Sequence, residues 1–264
     1  MNIVKHIPNT ITSLNLLSGC FAVIFAFAGD FKAALIMIIA SAVFDFCDGF
    51  AARLLKAYSP MGKELDSLAD MVSFGLAPSV IMFNKMLQIY GFGPNGGSGG
   101  FTSIFDLPFA GTVSYILPLL CALAIAVFSG LRLAKFNIDT RQTENFIGLA
   151  TPSCALIVGS LIYTCESYPA IDEFFAAHGY LLAAISLALA LLLVSEIPMF
   201  SFKFKSFKWA DNRIKFSFLI CAAVIAVLQT LLMGKFSLSI WIFVTFLCYI
   251  LLNVIVAVVS IKKG

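Results

Sequence analysis

The chain has 264 residues, of which 61% are hydrophobic and only 12% charged, with a formal net charge of +3 at pH 7. Soluble domains carry about 25% charged residues, so a chain of mean hydropathy +0.99 has too little polar surface to cover itself in water, and its solvent is lipid. A water-soluble globular fold is excluded, and nothing in the composition points to nucleic acid as a partner.

Taken in order, the apolar segments that meet the span length of about 20 residues lie near 10–28, 31–56, 61–89, 110–135, 149–166, 178–198, 214–234 and 237–260. They predict an all-α, polytopic membrane helix bundle of about eight transmembrane helices, with 1–264 as a single domain. The first segment is interrupted by Asn9, Thr10, Thr12, Ser13 and Asn15, which makes a poor cleavable signal core and reads as a retained span. Ser59-Pro60 breaks the chain between the second and third segments, and residues 91–100 form a glycine-rich loop. Residues 200–215 are basic and aromatic, as expected of a membrane-surface connection or short interfacial helix.

The seven cysteines form no C-x-x-C pair and read as small buried hydrophobes, while His6 and His178 are too few for a histidine-based centre. With the N-terminus placed in the cytoplasm, 14 of the 17 Lys and Arg fall on the inner side, and the outer side keeps only Lys32, Lys85 and Lys235. That asymmetry satisfies the positive-inside rule and puts both termini in the cytoplasm. Glu166, Asp172 and Glu173 fall in an outer loop and read as solvated acids, whereas Glu196 reads either as a snorkelling acid or as a partner for a nearby cation.

Four aspartates stand out against this background. Asp45 and Asp48 follow the apolar run at residues 33–44, and Asp66 and Asp70 fall in the first turns of the third segment. An aspartate at a helix centre costs about 2.5–3.5 kcal/mol on insertion scales, and acids within spans are candidates for function. The i,i+3 and i,i+4 spacings put each pair on one helix face. The short connection between the segments makes the helices antiparallel neighbours, so the two pairs meet near one membrane surface. An all-oxygen cluster of this kind suits Mg²⁺, Mn²⁺ or Ca²⁺ rather than zinc or copper, and two such ions would neutralise four carboxylates. Gly49 and Ala52 share the Asp45/Asp48 face, Gly62 precedes Asp66 by one turn, and Arg53 adds a cation at the same depth. Small residues there leave room for a phosphate-bearing ligand, or else let helices pack closely.

Together these residues read Asp45-x-x-Asp48-Gly49-x-x-Ala52-Arg53, eight intervening residues, then Gly62-x-x-x-Asp66-x-x-x-Asp70. The pattern resembles, at every position and spacing, the signature of the CDP-alcohol phosphotransferase family. The run at residues 66–78, the stretch Leu131-Arg132-Leu133-Ala134-Lys135-Phe136-Asn137 and the segment Phe146-x-Gly148-Leu149-x-x-Pro152 are similar to bacterial CDP-diacylglycerol–serine O-phosphatidyltransferases, as are Pro8, Asn9, Thr12 and Asn15. Ala150 departs from that group, which more often has proline there.

The resemblance implies transfer of a phosphatidyl group from CDP-diacylglycerol to L-serine at an inner bacterial membrane, by a homodimer among membrane lipids. It implies Asp45, Asp48, Asp66 and Asp70 as ligands of two divalent cations, with Asp70 also the catalytic base. Gly49, Ala52, Arg53 and Gly62, with Asn9 and Thr12, would bind CDP-diacylglycerol, although a helix N-cap explains Asn9 and Thr12 as readily. Arg132, Lys135 and Asn137 are candidates for the serine carboxylate or a lipid phosphate, against ordinary positive-inside anchoring. The same chemistry on glycerol 3-phosphate or inositol is the nearest alternative. An ion pathway is the alternative from another class, weakened because no ionisable residues continue the path through the bilayer.

Overall fold

The structure, a computed structural model, describes residues 6–93, 101–139, 141, 146–200, 209 and 212–261. Lys5, most of the glycine-rich loop, the basic run containing Lys203, Lys205 and Lys208, and Lys262 and Lys263 lie outside the described residues.

Helices α1 (Ile7–Ala28) and α2 (Phe31–Leu54) form a hairpin whose two-residue turn is built from the sequence. Gly29 takes the left-handed conformation that closes α1, and the Asp30 carboxylate accepts the Ala33 N–H to open α2. Ser59 opens the next helix by accepting the Gly62 N–H at 3.0 Å, with Pro60 in the first position, where a missing N–H leaves no bond unmade. That helix, α3 (Pro60–Asp70), runs through a π-helical turn (Met71–Leu76) into α4 (Ala77–Ile89), so the whole of Pro60–Ile89 makes one span. The sequence predicts an unbroken helix here. Pro78 explains the difference, because its ring lacks an N–H and crowds the carbonyl four residues back. A widened turn lets the helix pass the proline without breaking.

A short 3₁₀ segment (Phe101–Asp106) leads into α5 (Phe109–Ile138), followed by α6 (Thr151–Ser167), α7 (Pro169–Ala177), α8 (Tyr180–Val194), α9 (Arg213–Met233) and α10 (Leu238–Ile261). Among the described residues six helices are long and apolar enough to cross a membrane; α6 with α7 makes a seventh only as a pair bent by 108°, and α8 is a shorter apolar helix. All eight expected segments are therefore helical, two of them in an abbreviated form. The protein is a polytopic helical membrane protein.

Its interior is lined by the π-helical turn, α4 and α6, with Phe74, Ile81, Met82, Met86, Val158 and Ile162 fully buried. Leucines, valines and phenylalanines along α1, α2, α5, α9 and α10 face outward, as surfaces in contact with acyl chains do. Cys154 and Cys165 are buried as expected, but Cys20 and Cys221 face outward.

The charges sort to two ends. Lys85, only 4% exposed, pairs with Asp172 of α7 at 2.5 Å, so Asp172 holds the α6–α7 bend against α4 rather than serving as a solvated loop acid. At the other end Lys135 pairs with Glu196, and Arg141 bonds Asp139 and approaches Glu196 at 3.5 Å. Glu196 is thus a partner for cations, and its hydrogen bond with Lys135 holds its carboxyl below the usual glutamate range. Lys32 and Lys235, the other cations expected outside, share the Lys85 end, away from Asp45, Asp48, Asp66 and Asp70.

Candidate active site

Three of the four aspartates come together across α2 and α3. Carboxylate oxygens of Asp45, Asp48 and Asp66 lie within 4.8 Å of one another, although two come from α2 and the third from α3. Asp48 Oδ2 and Asp66 Oδ1 are buried with no hydrogen-bond partner. Uncompensated buried anions are costly, and a hard divalent cation is the ligand that an all-oxygen donor set of this size accommodates. The residues present therefore fit a metal ion.

Asp70 stands beside this trio rather than within it. It is 9% exposed and feels the negative fields of both Asp45 and Asp66. Its Oδ1 accepts a hydrogen bond of 3.1 Å from Nδ2 of Asn15. Asn15 is fully buried, and its own Oδ1 accepts the Ser73 hydroxyl at 2.7 Å. The Asn15 backbone carbonyl accepts from Ser41 of α2 and again from Ser73. One amide thus ties α1, α2 and the π-helical turn together behind Asp70. Close helix approach makes this reach possible: a Cβ on Gly19, one turn along α1 from Asn15, would lie 2.4 Å from Ser73 Oγ and 2.8 Å from its Cα. The sequence marked Asn15 only as an interruption and a point of resemblance. A polar amide inside an apolar span was the available signal, but the pairing across 55 residues becomes visible only in the fold.

The small residues divide in two. A Cβ on Gly49 would meet nothing closer than Arg53 Nη1, at 3.8 Å, so this face of α2 is open, with a guanidinium at its edge. Ala52 is half-buried on the same helix. At Gly62 a Cβ would lie 2.9 Å from Asn9 Oδ1 and 3.0 Å from Ser59 Oγ, so a side chain there would displace those two polar groups where α3 packs on α1. Asn9 is thereby set over the start of α3. Thr12 is 3% exposed, and its hydroxyl, 3.0 Å from the Pro8 carbonyl, also faces Asp48. Neither residue is an N-cap, because both lie inside α1.

The three basic-end candidates also separate. Arg132 of α5 is 7% exposed and lies in the field of Asp70 and Asp45. Its guanidinium sits 5.4 Å from the Phe136 ring centre and 5.6 Å from that of Phe146, bonds Thr151 Oγ1 at 3.4 Å, and leaves Nε buried without a partner. Phe146 is held there by a two-residue antiparallel pairing, Phe146–Ile147 with Pro198–Met199. That pairing depends on Gly148, whose φ is +78° and where a Cβ would lie 2.6 Å from the Leu193 carbonyl. Lys135, by contrast, is engaged with Glu196. Asn137 donates to Ser67 Oγ at 2.9 Å and accepts from Lys63, which fastens α5 to α3.

An oxygen-lined cation cradle at one end of a helical membrane bundle, with an open small-residue face and a buried arginine beside it, defines a membrane-embedded enzyme for phosphate chemistry. The chain belongs to the CDP-alcohol phosphatidyltransferase family, whose pattern matches residues 5–195. It is similar to the CDP-diacylglycerol–serine O-phosphatidyltransferase of Bacillus subtilis, 33% identical over 199 residues that make up 75% of this chain and 92% of that protein. The enzyme of the same name from Mycobacterium tuberculosis H37Rv is 31% identical over 200 residues, 73% of this chain but only 60% of that protein. An archaetidylserine synthase of Methanothermobacter thermautotrophicus is 26% identical over 193 residues, 72% of this chain and 68% of its own. The protein is therefore a transferase of phospholipid synthesis, and its helices α9 and α10 lie beyond the family match.

Asn15→Leu keeps the branched shape but removes the donor to Asp70 and the acceptor for Ser73, and an orphaned buried polar group costs about 1–3 kcal/mol. The expected result is a fall in kcat of about tenfold or more, with little change in KM for the nucleotide donor. Steady-state kinetics at saturating metal would check it; a raised donor KM with kcat intact would mean that Asn15 only packs α1.

Proposed function

We propose that the protein transfers the phosphatidyl group of CDP-diacylglycerol to L-serine, yielding phosphatidylserine and CMP, within one catalytic domain spanning 1–264. The observation that carries the serine reading is Arg132, a buried guanidinium with an unpartnered Nε beside the acid cluster. A site that keeps such a group desolvated accommodates an anionic acceptor, and a planar fork matches a carboxylate. The names borne by its relatives, including the archaeal one, point to the same alcohol.

In this reading the serine hydroxyl oxygen forms a bond to the phosphorus that carries diacylglycerol. The bond from that phosphorus to the CMP oxygen breaks, and CMP leaves with the electron pair. Asp70, placed by Asn15, accepts the hydroxyl proton. Asp45, Asp48 and Asp66, with Asp70, would hold divalent cations, two by charge balance and Mg²⁺ or Mn²⁺ (or Ca²⁺) by donor type. When bound, such ions would supply charge neutralisation for the pyrophosphate and the departing phosphate. Gly49 and Ala52 leave the α2 face clear for the nucleotide, Arg53 meets the pyrophosphate, and Asn9 and Thr12 border it from α1. Gly62 serves by letting α3 come close. Arg132 orients the serine carboxylate, Thr151 and the two phenylalanines hold Arg132 in place, and Lys135 and Asn137 brace the inner end of α5. The basic bias at the acid end favours a cytoplasmic site in a bacterial inner membrane, with a homodimer as the working unit.

The test is CMP release from CDP-diacylglycerol with Mn²⁺ or Mg²⁺, comparing serine, glycerol 3-phosphate and inositol. Serine-dependent release that EDTA abolishes supports the reading; release with another acceptor moves the substrate within the family. Arg132→Ala is expected to raise the serine KM by at least about tenfold while the KM for CDP-diacylglycerol changes little. An unchanged serine KM would remove the carboxylate role.

A further inference from the structure

A cavity with a pair of lysines at its wall lies at the opposite end of the bundle from the aspartates. Lys32 and Asp45 are 13 residues apart on one helix, which separates them by about 20 Å along its axis. Around Lys32, the start of α2, the end of α6 and the α9–α10 turn enclose a cavity of about 480 Å³. Lys32 and Lys235 contribute its cations, Tyr163 and Tyr168 its phenols, and Leu35 and Phe236 part of its apolar wall. The Lys235 ammonium lies 5.6 Å from the centre of the Tyr168 ring, which fixes it at the cavity.

The charge distribution at this end is selective. Lys85 is spent on Asp172, and Asp30 is committed to capping α2. Glu166 lies within the fields of both Lys85 and Lys32 but does not line the cavity. No carboxylate lines it among the described residues, so its two lysines border a space whose other walls are apolar side chains, phenols and the hydroxyls of Ser167 and Ser237. Each lysine sits at the end of a long apolar helix, the depth at which lipid phosphates lie, and tyrosine belongs to the same layer.

We propose that this cavity binds the headgroup phosphate of an anionic phospholipid in the leaflet opposite the acid cluster, with Lys32 and Lys235 contacting the phosphate and Leu35 and Phe236 the first methylenes. The site is separate from the substrate donor site and does not depend on which alcohol the enzyme uses.

The experiment is native mass spectrometry of the full chain in a neutral detergent, titrated with dioleoylphosphatidylglycerol. Lys32→Gln and Lys235→Gln are each expected to lower retention of the lipid about fivefold, and the double variant about thirtyfold. Lys32→Arg/Lys235→Arg should restore retention, dioleoylphosphatidylcholine should bind parent and variants alike and weakly, and inorganic phosphate should not displace the lipid. Melting temperature and CMP release of the single variants should match the parent, since neither lysine belongs to the reaction site. Equal phosphatidylglycerol retention in well-folded single variants would overturn the proposal. So would displacement by inorganic phosphate, which would make this a free-anion site. A variant-induced change in oligomeric state with retention unaltered would also overturn it, because the face would then be covered by a second copy.

Discussion

Asp70→Asn is expected to lower CMP release by about 10²–10⁴-fold, the range that general-base catalysis contributes, while nucleotide binding survives. The substitution is a gentle one structurally. An asparagine oxygen still accepts the 3.1 Å bond from Asn15 Nδ2, so the link to α1 and the π-helical turn is preserved, and what is lost is the carboxylate charge and the proton acceptor. Single-turnover CMP release, with CMP binding followed by calorimetry, separates the two effects. Near-normal turnover would remove Asp70 as the base and leave it as a ligand or a structural anchor.

Asp66→Asn should have an effect of similar size for a different reason. Asp66 brings the α3 oxygen into a trio otherwise supplied by α2, and its Oδ1 is one of the buried atoms left without a partner. Loss of a direct ligand should weaken Mn²⁺ binding by at least about a hundredfold, beyond the 10–100-fold typical of a supporting residue. The associated loss of charge stabilisation, several kcal/mol, corresponds to a fall in turnover of about 10³-fold or more. Electron paramagnetic resonance of Mn²⁺ reads binding independently of activity, and excess metal should recover part of the rate. Unaltered Mn²⁺ binding would take Asp66 out of the ligand set.

Much of this site was legible in the sequence because it depends on local spacing. The i,i+3 and i,i+4 pairs, with a short Ser-Pro connection between their helices, require the carboxylates of α2 and α3 to face each other near one membrane surface. The helical segments were legible for the same reason, since each is a long apolar run with a capping residue or proline at its edge. What escaped depends on contacts between distant residues. The widened turn after Asp70 arises from Pro78 acting within its own helix, yet its use is to present Ser73 to Asn15, on another. The bend between α6 and α7 is held by Lys85 and Asp172, each of which looks ordinary in its own segment. Lys135 and Arg132 are three residues apart and similar in charge, and only the fold sends one to Glu196 and the other toward the acids.

The order of these parts along the chain bears on how the enzyme is made. Asn15, Asp45, Asp48, Asp66 and Asp70 all belong to the first three spans, which end at Ile89, whereas Arg132 and Thr151 come from later ones. As the ribosome delivers helices to the membrane from the N-terminus, the acidic half of the site can close around cations before the half that meets the acceptor has been synthesised. Ions captured at that stage would pull α2 and α3 together, giving the nascent bundle a fixed centre against which α5 and α6 then dock.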